Sequence, residues 1–373
     1  MKNNFDFKLL TNDNESRLGI LSTSNGLINT PTFMPVGTSA TVKGIMPEQI
    51  IATNSEIILC NTYHLMLRPG IDIIKIFGGI NNFMKWKKPI LSDSGGFQVM
   101  SLASLAKSSD EGIKFKSHID GKKIFMSPES CMDLQVTFDV DIAMVLDECL
   151  PFPADYKSAQ KSMLRSMSWA ERSKKSWFKR QGKGLFGIVQ GGIYEDLRIN
   201  SVDMLQNINF DGYAIGGLAV GEGQEEMLKV LDYTTKLLPI DKPRYLMGVG
   251  KPDDIVKAVL KGIDMFDCVL PTRSGRTGQA FTRNGPINIR NACFARDTSP
   301  LDEYLPNSAS NNFSKAYLHH LFKSKEILGA VLLTIHNISF YQWLMQSMRD
   351  AIKNKKMAEF SSNFLEMYTS TIK

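Results

Sequence analysis

Short apolar runs that each stop at a polar residue or a glycine recur along most of the chain. Most are separated by segments long enough to hold a helix, which is the pattern of repeated βα units. Runs that are apolar throughout, rather than alternating, are typical of strands covered on both faces. The pattern therefore predicts eight strands, in the segments TFMPVG, EIILCNT, KPILSDSGG, DIAMVLDE, LFGIVQGG, GYAIGGL, RYLMGVGKP and MFDCVLPT.

Eight such units most naturally close into a (β/α)8 barrel of the TIM type, and a doubly wound open sheet is the alternative. Polar residues at the carboxyl end of strand after strand favour the barrel. In both architectures ligands bind at that end, so the expected place of the site does not depend on the choice. The residues that mark these ends are Asp93, Asp147, Gln190, Gly217, Met247 with Gly248, and Asp267.

Some segments do not fit the βα repeat. Three of them read as hairpins, turning at Asn25-Gly26, at Asp120-Gly121 and at Asn284-Gly285. After residue 296 the pattern changes to a loop followed by amphipathic helices. We therefore predict a barrel with N-terminal and inserted hairpins over residues 1–296, and a mostly helical C-terminal subdomain, packed on the barrel, over residues 297–373.

The composition is that of an ordinary globular protein, with 43% hydrophobic and 22% charged residues among 373. The net charge of +6 modestly favours an anionic partner such as nucleic acid. No apolar run looks long enough to span a bilayer, and the N-terminus lacks the apolar core of a signal peptide. Five widely spread cysteines are not a disulfide framework. We expect a cytoplasmic protein with no membrane partner.

Asp93 and Asp267 are the first candidates for chemistry. Two carboxylates at one barrel mouth suit glycosidic-bond chemistry, in which one attacks or stabilises the anomeric carbon and the other moves protons. Aspartates that follow strands also commonly cap helices or turns, and for either residue alone this is the more frequent role.

Glycine pairs follow three of the predicted strands, at Gly95-Gly96, Gly191-Gly192 and Gly216-Gly217. Such loops let the backbone approach a ligand closely, and Asp147 and Gln190 could read the edge of a flat, hydrogen-bonding ligand. Tight strand-to-helix turns explain each pair alone equally well.

The segment PTRSGRTGQ places Arg273 and Arg276 just beyond the last strand, and Lys251 lies beyond the strand before it. Three cations beside a carboxylate-lined pocket could hold the phosphates of a nucleotide whose base is in the pocket. A solvated basic loop is the alternative. No histidine has a cysteine or an acidic residue at ligand spacing, so the chain alone shows no metal motif.

Six segments taken together resemble the motif series of the bacterial tRNA-guanine transglycosylases, the queuine tRNA-ribosyltransferases. Any one of them is a modest signal, but six in order, over roughly residues 30 to 350, are specific. The segments are SDSGGFQVMSL, DECLPFP, FGIVQGG, IGGLAVGE, YLMGVGKP and FDCVLPTRSGRTGQAF.

This resemblance implies a (β/α)8 barrel with insertions that exchanges the wobble guanine (position 34) of GUN-anticodon tRNAs for a 7-deazaguanine in queuosine biosynthesis. It makes Asp267 the nucleophile that forms a covalent tRNA-enzyme intermediate, and Asp93 the group that accepts and donates the protons of the two bases. Cys149 and Val220 look like the bacterial pocket, which takes preQ1 (7-aminomethyl-7-deazaguanine) rather than queuine. The family also implies tRNA and a free base, preQ1 or guanine, as partners, and a homodimer.

The resemblance also implies two sets of binding residues. Those expected around the base are Ser94, Gly95, Gly96, Phe97, Asp147, Cys149, Gln190, Gly217, Leu218, Glu222 and Met247. Those expected at the anticodon of the tRNA are Gly248, Val249, Gly250, Lys251, Pro252, Asp253, Asp254, Thr272, Arg273, Ser274, Gly275 and Arg276.

The chain departs from the family at one place. The family carries a zinc site of the form C-x-C-x-x-C with a histidine about 25 residues later, but the corresponding positions here are Leu305, Asn307, Ser310 and His336. Only the histidine is retained, and one histidine cannot build a tetrahedral site. We therefore predict no zinc and no cofactor, and expect packing by Tyr304, Leu305 and Phe313 to replace the metal.

Two other functions remain as alternatives from the sequence. A non-catalytic tRNA-binding partner subunit would explain the loss of the zinc ligands. A retaining nucleoside hydrolase or glycosidase would use the same two carboxylates with water as the acceptor.

Overall fold

The computed structural model describes residues 4–102, 104–178 and 180–370. Its strands, in chain order, are β1 Asp6–Asp13, β2 Ser16–Thr23, β3 Gly26–Thr30, β4 Thr32–Pro35, β5 Ile58–Asn61, β6 Ile90–Asp93, β7 Ser104–Ser109, β8 Gly112–Lys116, β9 Lys123–Met126, β10 Ile142–Met144, β11 Gly184–Val189, β12 Gly212–Ile215, β13 Arg244–Leu246, β14 Met265–Cys268, β15 Gln279–Thr282 and β16 Gly285–Asn288.

Helices follow most of these strands. They are α1 Pro47–Ala52, α2 Thr62–Leu67, α3 Ile71–Phe77, α4 Ile80–Met84, α5 Gly96–Leu102, α6 Pro128–Thr137, α7 Tyr156–Ser176, α8 Glu195–Ile208, α9 Gly223–Leu237, α10 Pro252–Val259, α11 Leu270–Thr277, α12 Ser308–Asn311, α13 Lys315–Lys323, α14 Ile327–Lys353 and α15 Met357–Ser370, with a 3-10 helix at Ala292–Arg296.

Eight parallel strands form the central sheet, in the order β4-β14-β13-β12-β11-β10-β6-β5. All eight are strands that the apolar runs predict. The sheet closes, because Val36 beyond β4 bridges in parallel to Leu59 of β5 and the Gly37 amide donates to the Leu59 carbonyl over 2.6 Å. The predicted (β/α)8 barrel is therefore confirmed over the doubly wound open sheet.

The three predicted hairpins are present as β2–β3, β8–β9 and β15–β16. Two of the turns lie one residue earlier than predicted, because Gly26 pairs with Thr23 and Gly285 pairs with Thr282. Each glycine is thus the first residue of the returning strand, with a positive φ, and not a loop residue. Two further strands, β1 and β7, are not predicted by the sequence pattern, and each pairs with the first strand of a predicted hairpin.

Helix α14 covers the outside of the barrel beside β4. It packs against α1, α10, α11 and β4, and Gln342 donates to the Phe33 carbonyl of β4 over 3.0 Å. Its apolar stretch corrects the expectation that no run could span a bilayer, since by length and composition α14 alone among the described helices could do so. Two-thirds of that stretch (67%) is buried inside the protein, as in a core helix.

Two apolar clusters form the core. The larger one runs through the barrel and includes the inner face of α14, from Ile338 to Ile352, with part of α15. The smaller one joins Ala280 and Ile289, around the β15–β16 hairpin, to residues of the C-terminal region such as Leu318 and Leu333. The end of the barrel that carries the site is therefore braced by α14 from the outside.

Candidate active site

Asp93 is the last residue of β6, and its side chain is buried at 7% exposure. Its Oδ1 accepts the Thr62 amide over 3.0 Å, and its Oδ2 accepts the Asn61 side-chain amide. Burial raises its pKa to about 7, against the lowering effect of these two donors, and the negative charges of Asp267 and Asp147 raise it further. A carboxyl group with this pKa can both take up and release a proton near neutral pH.

Asp267 lies on β14, which the two strands β4 and β5 separate from β6 in the closed sheet, and is half-buried. Its Oδ1 accepts the Tyr245 hydroxyl over 2.6 Å and the Gly248 amide over 2.8 Å. Burial raises its pKa, and the two donors act in the opposite direction by stabilising the charged form. Oδ2 accepts no hydrogen bond from any residue that the structure describes, so it is the oxygen available to a ligand.

Asp147 follows β10 and forms a buried hydrogen-bonded group with residues of the neighbouring strands. Its Oδ1 accepts the Ser94 hydroxyl over 3.2 Å, and its Oδ2 accepts the Gln190 side-chain amide over 2.7 Å. Burial raises its pKa to about 6. The sequence places these three residues far apart, and the structure brings them together with Asp93 at one end of the barrel.

The glycines predicted to allow close approach do so within the site. A Cβ on Gly96 would lie 2.4 Å from the Asp147 carbonyl oxygen, and a Cβ on Gly217 would lie 2.6 Å from Oε1 of Gln190. Gly217 also has a φ of +65°, which L side chains rarely adopt. Their first role in this structure is to let the backbone pack against Asp147 and Gln190.

The other expected base-binding residues differ in exposure. Phe97 at the start of α5 is 49% exposed, and Met247 after β13 is half-buried. Leu218 and Cys149 are buried, and burial raises the pKa of the Cys149 thiol to about 12. Glu222 bends back over the Gly217–Glu222 loop, where its carboxylate accepts the backbone amides of residues 219 and 220.

The two expected tRNA-binding segments lie at the same end of the barrel. Residues 248–251 lead from β13 into α10, and residues 272–276 belong to α11. Their exposed members are Gly248, Lys251 and Arg273, and Arg276 is half-buried. The buried residues of these segments pack against the protein. At Gly275 the backbone of α14 is so close that an added Cβ would lie 2.8 Å from the Thr334 amide nitrogen.

Reasoning from the sequence missed the residues that hold the two catalytic candidates. Asn61, the last residue of β5, and Thr62, the first residue of α2, donate to Asp93, and Tyr245 on β13 donates to Asp267. Asn61 and Thr62 carry a signal that could have been used, because they are polar residues at the carboxyl end of a predicted strand. Tyr245 carries no such signal, because a tyrosine within an apolar strand is predicted to be a core residue.

The positions of the family's zinc ligands come together but do not fit a zinc ion. Both ring nitrogens of His336 are engaged, with the Ser310 hydroxyl at 2.8 Å from Nδ1 and the Phe281 carbonyl at 2.9 Å from Nε2. Ser310 also donates to Oδ1 of Asn307 over 3.0 Å, and Leu305 offers no ligand atom. No group of three or more His, Cys, Asp or Glu able to hold a metal occurs within the described ranges.

One part of the packing expectation here is wrong. Leu305 is buried at 1% exposure and Phe313 packs against the smaller apolar cluster, but Tyr304 is 72% exposed. The Tyr304 ring contacts the Arg283 guanidinium at 5.2 Å instead of filling the core. Burial also lowers the pKa of His336 to about 4, so the ring is neutral within this polar contact at neutral pH.

The fold and the site together define a barrel enzyme with two carboxylates in different surroundings at one end of the barrel. Asp93 is deeply buried and able to change its protonation state, and Asp267 has one oxygen held by two donors and the other open. Within this class, the chain belongs to the queuine tRNA-ribosyltransferase family, whose model matches residues 13–370.

Individual relatives agree over nearly the whole chain. A queuine tRNA-ribosyltransferase of Zymomonas mobilis subsp. mobilis is 55% identical over 368 residues, which are 98% of this chain and 95% of the relative. That of a Jannaschia species is 56% identical over 358 residues, covering 96% and 95%, and that of Rickettsia typhi is 52% identical over 356 residues, covering 95% and 99%.

Proposed function

We propose that this enzyme exchanges the wobble guanine (position 34) of GUN-anticodon tRNAs for preQ1, through a covalent tRNA-enzyme intermediate. The general activity, that of a tRNA-guanine transglycosylase in queuosine synthesis, follows from the family. The incoming base, the tRNA set and the roles of individual residues are the proposed parts. They rest on one contrast between the two carboxylates. Both oxygens of Asp93 accept hydrogen bonds, from Asn61 and Thr62, whereas Oδ2 of Asp267 accepts none from the described residues.

In the first half-reaction, Oδ2 of Asp267 attacks the ribose C1′ and the bond from C1′ to N9 of guanine breaks. The Tyr245 hydroxyl and the Gly248 amide hold Oδ1, which orients the carboxylate and keeps it ionised for attack. Asp93, with a pKa near neutrality, supplies the proton that the departing base needs.

In the second half-reaction, Asp93 takes the N9 proton of the incoming base. That nitrogen attacks C1′, and the carboxylate of Asp267 leaves. Two displacements at one carbon retain its configuration, and the ester keeps the tRNA attached between the two steps. The base must leave its stack to reach the barrel mouth, as with other enzymes that act on bases.

The recognition of the base is assigned to the group around Asp147. Asp147 and Gln190 accept and donate hydrogen bonds at its edge, together with the Gly217–Leu218 backbone, while Phe97 and Met247 cover its faces. The exposed Lys251 and Arg273, with Arg276, hold anticodon phosphates and position the nucleotide.

The remaining parts of the proposal concern assembly and location. A homodimer in the cytoplasm, with no membrane partner, is proposed from the family and from the character of the sequence. Residues 1–296 and 297–373 are proposed as barrel and C-terminal subdomain. The smaller apolar cluster joins the β15–β16 hairpin to the first part of the C-terminal region, and the inner face of α14 from Ile338 onward packs in the larger cluster of the barrel.

Incubating the protein with unmodified tRNA and labelled guanine tests the function. We expect label in the tRNA, loss of that label on adding preQ1, and no such loss with queuine. No incorporation with tRNA binding retained would favour a binding subunit, and release of free guanine without incorporation would favour a hydrolase.

The Asp267→Asn variant tests the nucleophile. We expect it to lose the covalent tRNA adduct seen on a denaturing gel, whereas Asp93→Asn is expected to lose base exchange. Asp211→Asn is the matched control, because Asp211 is a half-buried carboxylate just before β12 and accepts the Leu185 amide over 2.9 Å. An adduct that persists in Asp267→Asn would reassign the role.

We also propose that this enzyme works without zinc. The hydrogen bonds from Asn307 through Ser310 to His336, and from His336 to the Phe281 carbonyl, join the segments that a metal would join. Metal analysis of protein purified without chelators should find far less than one zinc per chain. One tightly bound equivalent would overturn this part of the proposal.

A further inference from the structure

Arg198 is a fully buried arginine that lies beneath the base-reading group and has no role in the mechanism above. It belongs to the first turn of α8, and its side chain is 0% exposed. Nε donates to the Gly192 carbonyl over 2.8 Å, and Nη1 donates to the carbonyls of Val189 and Gly216 over 3.0 and 2.8 Å. One guanidinium therefore ties together the ends of β11 and β12.

The residues that follow these carbonyls are the ones proposed to read the base. Val189 precedes Gln190, and Gly216 precedes Gly217. In a trans peptide the carbonyl and the next amide N–H point in opposite directions. Because Arg198 holds the Gly216 carbonyl on the side of α8, the Gly217 N–H points away from α8.

Besides Arg198, one backbone hydrogen bond joins these two strand ends, from the Gly216 amide to the Val189 carbonyl over 3.0 Å. Gly191, Gly192, Gly216 and Gly217 have no side chains to restrict the loops, and glycine backbone is otherwise free to turn. Helix α8 also supplies Ser201, whose hydroxyl accepts the Gln190 amide over 3.0 Å. The helix thus braces both base-reading loops from below.

Arg198 also keeps an unused donor. Its Nη2 has no hydrogen-bond partner among the described residues, and it lies 3.5 Å from the position of a Cβ on Gly217. No carboxylate forms an ion pair with this guanidinium in the described structure. A buried cation without a counter-ion is costly, so carbonyl dipoles and the loops they belong to must compensate for its burial.

We propose that Arg198 is a positioning residue that sets the backbone of Gln190 and Gly217 for recognition of the base. This inference rests on the proposed function, since it acts on the groups assigned there to the base. Fixed donors whose orientation is set before binding lose little free energy on binding, which is the advantage of such an arrangement.

Steady-state exchange with labelled guanine tests the proposal, with KM measured separately for guanine and for tRNA in Arg198→Met and Arg198→Lys. We expect Arg198→Met to raise KM for guanine roughly tenfold or more, because a displaced donor loses most of its contribution. KM for tRNA should stay within about twofold. The KM of Arg198→Lys for guanine should lie between those of the parent and Arg198→Met. Lysine keeps the charge, but it lacks the planar guanidinium that reaches three carbonyls at once.

Arg17→Met is the matched control. Arg17 is also a buried arginine with one unpaired nitrogen, and it donates to the carbonyls of Ile240 and Lys242 and to Asp264, before β13 and β14. Its loss should lower the melting temperature and leave KM for guanine unchanged, which separates positioning from general stability.

KM for guanine within about twofold of the parent in both Arg198 variants, or a parallel rise of both KM values, would overturn the proposal. If Arg198→Met does not fold, Arg198→Lys decides: a rise of threefold or more in KM for guanine alone supports the role, and a smaller one overturns it. The parent protein shows which proposal has failed. If the parent itself incorporates no guanine, the proposed transglycosylase function is wrong, whatever the Arg198 variants do.

Discussion

The Tyr245 hydroxyl donates a 2.6 Å hydrogen bond to Oδ1 of Asp267, and the two residues lie on adjacent strands of the barrel. Tyr245 is almost completely buried, and burial together with the charge of Asp267 raises its pKa well above the ordinary value. The phenol therefore stays protonated and remains a donor. With the Gly248 amide on the same oxygen, it leaves Oδ2 without a hydrogen bond from the described residues, and Oδ2 is the atom that we propose attacks the ribose.

Replacing Tyr245 by phenylalanine should slow formation of the covalent adduct. A hydrogen bond to a charged group contributes about 1.5–3 kcal/mol, so we expect a loss of roughly tenfold or more in the single-turnover rate. The pKa of Asp267 should also rise, because one of the two donors that lower it is removed. Quenched-flow sampling of the adduct on denaturing gels over a range of pH measures both effects.

Tyr213→Phe is the control for this variant. Tyr213 is a buried tyrosine on the adjacent strand β12, and its hydroxyl accepts the Phe210 amide over 3.4 Å, away from Asp267. A loss of adduct rate equal in the two variants would attribute the effect to packing rather than to the hydrogen bond.

Asp93→Asn should change the dependence of stability on pH. Between pH 3.8 and about pH 7, the folded protein holds a proton on Asp93 that the unfolded chain has released. The free energy of unfolding therefore falls as the pH rises through this interval. The stabilisation that protonated Asp93 contributes is fully present below pH 3.8 and is lost above about pH 7. The variant should gain on the order of 2 kcal/mol relative to the parent between pH 5 and pH 8.

Urea unfolding of both proteins at pH 5 and pH 8 measures this difference. Asp203→Asn, which replaces an exposed carboxylate on α8, is the control and should show a much smaller change. An Asp93→Asn variant that gains no stability relative to the parent at the higher pH would contradict the raised pKa of Asp93.

Gly96→Ala should damage the base site. Its Cβ would lie 2.4 Å from the Asp147 carbonyl oxygen and 3.1 Å from Oδ1, and backbone atoms cannot yield as a flexible side chain can. Overpacking of this kind typically costs 1–3 kcal/mol, so we expect a lower melting temperature and a KM for guanine raised about tenfold or more.

Gly37→Ala provides the comparison for Gly96→Ala. Gly37 is buried beside β4, but a Cβ there would meet its nearest atom, the Leu59 carbonyl oxygen, at 3.4 Å. This variant should keep the parental KM for guanine. Normal guanine exchange by Gly96→Ala would show that the start of α5 can shift without disturbing Asp147.

Restoring the three family cysteines should create a zinc site. The triple variant Leu305→Cys, Asn307→Cys and Ser310→Cys supplies thiolates beside His336, and three thiolates with one imidazole suit tetrahedral zinc. We expect about one zinc per chain by metal analysis, where the parent holds far less. The double variant without Asn307→Cys should bind zinc more weakly, and a triple variant that binds none would show that the segment cannot adopt ligand geometry.

Much of the barrel follows from local pattern. The runs ending at Asp93 and Asp267 predict two of the eight strands and the end at which their carboxylates lie, because strand formation depends on neighbouring apolar side chains. The hairpin turns were placed within one residue for a similar reason. The sequence predicts that the C-terminal helices pack on the barrel, but the amphipathic pattern of the 27-residue helix α14 does not say which strands and helices it covers.

The sequence by itself determined the strands, their polar carboxyl ends and, through the motif series, the family and its two aspartates. Only the tertiary structure decided what each aspartate touches. Asn61 is 32 residues from Asp93, Tyr245 is 22 from Asp267, and Arg198 is 18 from Gly216, yet each pair is in hydrogen-bond contact. The closure of the barrel brings these strand ends together, and the burial that results sets the pKa of each carboxylate, which no local run of residues encodes.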